Sequence, residues 1–89
     1  MAKKYKWNVT EVLEEGGNAE HTVELTCSFI TGKAVIIIDG DKYDISVKPF
    51  ALRGTNQVFR LGNEAAVIAF PKKGAPTVTV EGEIIPEVK

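Results

Sequence analysis

Apolar and polar residues alternate along most of this chain. Tyr5, Trp7 and Val9 alternate with Lys6, Asn8 and Thr10, the period of a strand with one buried face. The stretch that begins at His21 repeats the pattern more cleanly. Val23, Leu25, Cys27 and Phe29 fall on one side, and Thr22, Glu24, Thr26 and Ser28 on the other. Between the two runs, Gly16 and Gly17 permit a reversal of direction. Thr31, Gly32 and Lys33 turn the chain into a third apolar run, Ala34 to Ile38. Asp39 and Gly40 follow, and Asp-Gly between two apolar runs predicts a two-residue type I′ hairpin, because both turn positions need positive φ. Lys42 to Val47 is the returning strand, which Pro49 closes because it lacks a ladder donor.

The middle of the chain is less regular. Phe50 to Gln57 reads as an irregular connection or a single helical turn. Val58 to Leu61 and Ala65 to Phe70 read as strands joined around Gly62 and Asn63, and "PKKGAP" as a loop. The chain closes with a hairpin that turns at Glu81 and Gly82, an echo of the first hairpin forty-two positions earlier. The echo reads as two independent solutions to one turn problem rather than an ancient duplication. No segment sustains helical periodicity. Seven to eight short strands, each with one apolar face, imply an all-β antiparallel β-sandwich. A single domain is expected over residues 1–89, with strands from about 5 to 88.

Charge and composition narrow the function classes. Eleven basic residues against twelve acidic ones leave a net charge of -1, which argues against nucleic acid as a partner. A single cysteine, Cys27, cannot form an internal disulfide, and no long apolar run suggests a membrane or a secretory leader. The expected location is cytoplasmic.

Candidate chemistry is sparse. Asp39, Asp41 and Asp44 fall close together, yet a calcium loop counted from Asp39 would have Phe50 where its closing glutamate belongs. These aspartates are expected to form a turn and to bind no divalent ion tightly. His21 and Cys27 lie six residues apart on one strand, on the order of 20 Å, too far for a nucleophile–base pair. Cys27 reads as a core thiol, His21 as a surface residue at the start of a strand. Glu14 with Glu15 and Asp39 with Asp41 are paired carboxylates in turns, where nothing desolvates them. No catalytic, cofactor-binding or metal-binding residue is therefore expected, and no cofactor. Two functions remain: a protein-interaction module, and a small-ligand or glycan-binding sandwich that uses exposed aromatic rings. In the first, the partner is a protein or a second copy that pairs with an edge strand. The terminal strands, with Lys3, Lys4 and Lys6 on the first and Pro86 on the last, are the expected edges.

Trp7-x-Val9 opens the first strand, and "HTVEL" opens the second. "GKAVIIIDG", "FRLG" before "AAVIAF", and the closing "VTVEGEIIPEV" follow. In the order of these small motifs, the chain resembles the Fas apoptosis inhibitory molecule family. The resemblance runs from Trp7 to Val88. It implies a compact antiparallel β-sandwich, without catalytic residues, that acts by binding. The animal members are cytosolic, carry two such domains in tandem, and are linked to protection from death-receptor killing and to limiting protein aggregation. This chain holds one domain and lacks their longer aromatic segment after the first hairpin, so those roles are not carried over.

Overall fold

The computed structural model describes residues 2–88. Eight strands follow one another: β1 (Lys3–Val12), β2 (Asn18–Cys27), β3 (Ala34–Ile38), β4 (Asp41–Asp44), β5 (Thr55–Leu61), β6 (Glu64–Phe70), β7 (Thr77–Val80) and β8 (Glu83–Ile85). They form two four-stranded antiparallel meanders, β1-β2-β3-β4 and β5-β6-β7-β8. The all-β sandwich expected from the alternation is what the chain adopts.

The core lies between the sheets, where the alternating registers point. Trp7, Val9, Val23, Leu25, Cys27, Ala34 and Ile36 come from the first sheet. Leu61, Ala66, Ile68, Phe70, Val78 and Val80 come from the second, and Leu52 anchors the connection between the two. Cys27 is buried as expected, and burial pushes its thiol pKa up.

Both predicted Asp-Gly-type turns form. Asp39 and Gly40 have φ of 50° and 89°, and Glu81 and Gly82 have 48° and 84°, so all four residues occupy the left-handed region that a type I′ turn requires. The likeness of the two hairpins extends past the turn itself. The Asp39 amide donates to the Thr22 carbonyl, and its carboxylate accepts from the Thr22 amide. Glu81 exchanges the same two bonds with Ala65. Each acid thus extends the ladder by one residue and ties its hairpin to the neighbouring strand.

Three boundaries differ from the sequence reading. β4 stops at Asp44 rather than reaching Val47, because the Ser46 hydroxyl takes the Ala34 amide; beyond it the chain keeps its register through single bonds from Ile45 N to Ala34 O and Val47 N to Gly32 O. Residues 48–54 form successive turns and no helical turn, closed by Ala51 N to Lys48 O and Thr55 N to Leu52 O. β5 begins at Thr55, three residues before the apolar run that announced it.

The terminal strands are the outer strands of their sheets, as expected, but they are not left free. Trp7 bridges to Glu87, and the Val88 amide donates to the Lys6 carbonyl at 2.8 Å. The segment after β8 therefore crosses to the first sheet and stitches the sandwich along its β1 side.

Candidate functional site

The first-sheet registers bring together three side chains that sequence reasoning kept apart. Glu11 continues the inward series of Trp7 and Val9, and His21 begins the inward series of Val23 and Leu25. In the antiparallel pairing His21 lies opposite Val9, one inward position from Glu11. The hairpin turn delivers Asp39 to the same place. His21 Nδ1 lies 2.7 Å from Asp39 Oδ2, and its Nε2 lies 3.0 Å from Glu11 Oε1. Carboxylates only accept, so a ring held between two of them donates from both nitrogens and carries a positive charge.

The cluster also reaches the second sheet. The other Glu11 oxygen accepts the Asn63 amide at 3.2 Å, in the β5–β6 turn. Gly62 completes the fit. Its φ is +61°, and a Cβ there would collide with the Glu11 carboxylate. Glu11 is only 5% exposed and the His21 side chain 11%, while Asp39 remains 43% exposed. The hydrogen bonds to Asp39 and then to Glu11 raise the His21 pKa. In return, the bond to His21 lowers the pKa of Glu11 and that of Asp39.

This placement corrects two sequence expectations. His21 is a partly buried linchpin rather than a surface residue. Asp39 is drawn out of the aspartate cluster and into an ion pair, while Asp41 stays exposed on β4 and Glu14 and Glu15 stay exposed after β1. The signal was present, since Glu11 and His21 both carry the inward parity of their strands. As chemistry, the cluster is closed. Neither ring nitrogen keeps a lone pair for a proton or a metal while both bonds hold, and no nucleophile adjoins it. Among the described residues, no three His, Cys, Asp or Glu side chains are grouped to hold a metal ion.

The open surface lies on the opposite flank. A groove of about 480 Å³ runs between β3–β4 and β5, lined by Ile36, Ile38, Tyr43, Ile45, Val58 and Phe59 among others. The strand at its rim has a free backbone. Both backbone groups of Ala65 face the β7 side, toward Glu81, and Ala65 lies opposite Arg60. Antiparallel pairing alternates, so the N–H and C=O groups of Arg60, Val58 and Asn56 point away from β6. Val58, in the middle of this edge, is 74% exposed.

Aromatic side chains do not form a platform. Trp7 and Phe70 are buried, and Tyr5 stacks on Trp7 with centroids 6.1 Å apart. Phe29 meets Phe70 edge-on and carries the Arg53 guanidinium 3.8 Å above its ring. Tyr43 is 51% exposed in the groove; Phe50, 76% exposed, lies on the β4–β5 connection. Among the described residues, no helix is long and apolar enough to cross a membrane. No family model, curated protein or solved structure matches this chain.

Proposed function

We propose that this chain is a non-catalytic, cytoplasmic protein-interaction module whose binding surface is the open flank along β5. The observation that carries the reading is the edge of β5 itself: three outward-facing backbone pairs beside an apolar groove. An extended segment of a partner would add a strand there, exchanging backbone bonds with Asn56, Val58 and Arg60. Its alternate side chains would enter the groove against Ile38, Tyr43 and Phe59. Of the seven aromatic rings only Tyr43 and Phe50 are exposed, and they lie on different elements, which supports this reading over ligand stacking. The closed His21 cluster offers no catalytic group, and the motif order shared with the Fas apoptosis inhibitory molecule family carries the same expectation. The one buried thiol suits a reducing compartment.

A second reading has a small apolar ligand in the same groove, favoured by the half-exposed Tyr43 ring. One experiment separates the two. Extended peptides selected by display against the folded domain are titrated into labelled protein while amide resonances are followed. Strand addition predicts shifts and slowed exchange at Asn56, Val58 and Arg60. A small ligand would move Ile36, Ile38 and Phe59 and leave those amides open. Peptides that bind elsewhere, with β5 unmoved, would end the proposal.

A further inference from the structure

The β5 edge has a self-complementary register. Its outward-facing residues, Asn56, Val58 and Arg60, are spaced evenly about Val58. A second β5 laid antiparallel, with the two Val58 residues opposite one another, places Asn56 against the partner copy's Arg60 position and the reverse. Every outward backbone pair then faces another outward pair, which gives about six hydrogen bonds, two for each facing residue pair. A shift of one residue would set outward groups against inward ones and lose them all.

Charge allows the same register. Arg60 is the one charged residue of β5, and the symmetric pairing sets it opposite neutral Asn56. The two arginines would stand about 13 Å apart, four residues along the ladder at ~3.3 Å each. The other internal edge is built differently. β4 has four residues, three of them charged (Asp41, Lys42 and Asp44), and all four are exposed. Short, charged strands are how natural sheets discourage pairing. β5 has seven residues and an exposed valine at its centre, without such protection.

The solvent face of the second sheet adds an independent match. Val58 pairs with Val67, Val67 with Thr79, and Thr79 with Ile84, so one uncharged row crosses all four strands. Its ends, Val58 and Ile84, are the most exposed of the row. Joining two β5 edges brings the two Val58 side chains together and makes the two rows continuous.

From this register we infer that the partner of the β5 edge is a second copy of this chain, in a two-fold dimer whose joined sheets form one eight-stranded sheet. The inference rests on the reading of the open flank as the binding surface. One strand pair buries little area, below the ~1,200 Å² that separates transient from stable interfaces. The dimer should therefore be weak and seen only at high concentration.

The test is sedimentation equilibrium of the full chain from micromolar to about millimolar, paired with amide exchange of Asn56, Val58 and Arg60. Expected are a concentration-dependent dimer and protection of those three amides that rises with dimer fraction. Val58→Lys, which sets two like charges on the dyad, should weaken association at least tenfold while the melting curve stays unchanged. Val58→Pro, which removes the outward donor and fixes φ at the centre of the strand, should weaken association as well and guards against an effect peculiar to lysine. A chain that stays monomeric with these amides open overturns the second copy but leaves an unrelated partner segment in place. Amides protected at every dilution overturn both. A dimer that survives both substitutions uses another surface and overturns the inference.

Discussion

The sandwich is fastened on one flank and open on the other, although both flanks are made from strands of the same two meanders. On the β1 side the sheets are joined by polar groups. Glu11 holds the Asn63 amide, His21 and Asp39 hold Glu11 in place, and Glu87 and Val88 cross over to Trp7 and Lys6. On the β4–β5 side, apolar side chains line a groove and, among the described residues, the outward amides of β5 have no protein partner. The buried Glu11 carboxylate needs partners, and one of them, the Asn63 amide, lies across the sheets, which ties the two meanders together at this end. The open side carries no such requirement. Its side chains are content with partial burial, so the backbone there stays available to a partner.

The comparison can be broken hardest at Gly62. Valine there must adopt a φ that β-branched residues avoid, which costs about 1–3 kcal/mol before its collision with the Glu11 carboxylate is counted. Gly82→Val has the same backbone problem with nothing within 4 Å, so it should cost clearly less. Urea denaturation of both variants checks the difference. Equal losses would mean that Glu11 does not clasp the second sheet.

Removing residues 87–89 tests the second fastening. It deletes the Val88–Lys6 bond and the Trp7–Glu87 bridge, for an expected loss of about 1–2 kcal/mol at typical net hydrogen-bond values. An unchanged unfolding midpoint would show that the terminal segment only rests on β1.

Asp39→Ala should cost about 1–2 kcal/mol, kept modest because the carboxylate is partly solvated. Its sharper signature is in pH dependence. A raised His21 pKa stabilises the fold fully below the ordinary histidine value and is lost as pH rises through the folded one. The lowered Glu11 and Asp39 values stabilise it above the ordinary carboxylate range and are lost as pH falls. The melting temperature of the native chain should therefore peak between about pH 4.5 and 6.5. Asp39→Ala should flatten the basic limb. The acid limb should persist in part, because the bond from Ser46 lowers Asp44 as well. A native profile flat from pH 5 to 9 would contradict the charged cluster.

The smallest effect belongs to the open flank. Val58→Lys should leave the stability of the monomer within about 0.5 kcal/mol, as for an exposed site without partners. A larger loss in dilute solution would mean that Val58 packs against something within its own chain.

Much of this fold was legible in the alternation of single strands. Trp7, Val9, Val23, Leu25 and Cys27 were placed inward by period alone, and Asp39 with Gly40 by the φ their turn demands. The ends of elements were less legible. β4 is curtailed where the Ser46 hydroxyl takes the Ala34 amide from the ladder, and Thr55 to Gln57 join β5 through pairing with Ile68 to Phe70 rather than through any pattern of their own. The His21 cluster was hidden for a different reason. Its members lie ten and eighteen residues apart, and only the β1–β2 register and the returning hairpin bring them together. Reading Glu11 and His21 by the parity of their strands, rather than by their polarity, would have placed both inside. The open β5 edge was hidden as well, because the crossing of Glu87 to Trp7 could not be seen and the terminal strands looked free.

Amide hydrogen exchange on dilute protein, resolved by residue, tests the contrast between the flanks most directly. The amides of Asn56, Val58 and Arg60 should exchange nearly as fast as in an unfolded chain. Those of Thr22, Asn63, Ala65 and Val88, which the fastened side and its hairpins hold, should be slowed by orders of magnitude. Protection at the three β5 amides equal to that of Ala65 in dilute solution would mean that the flank is closed within the monomer, and would contradict the account.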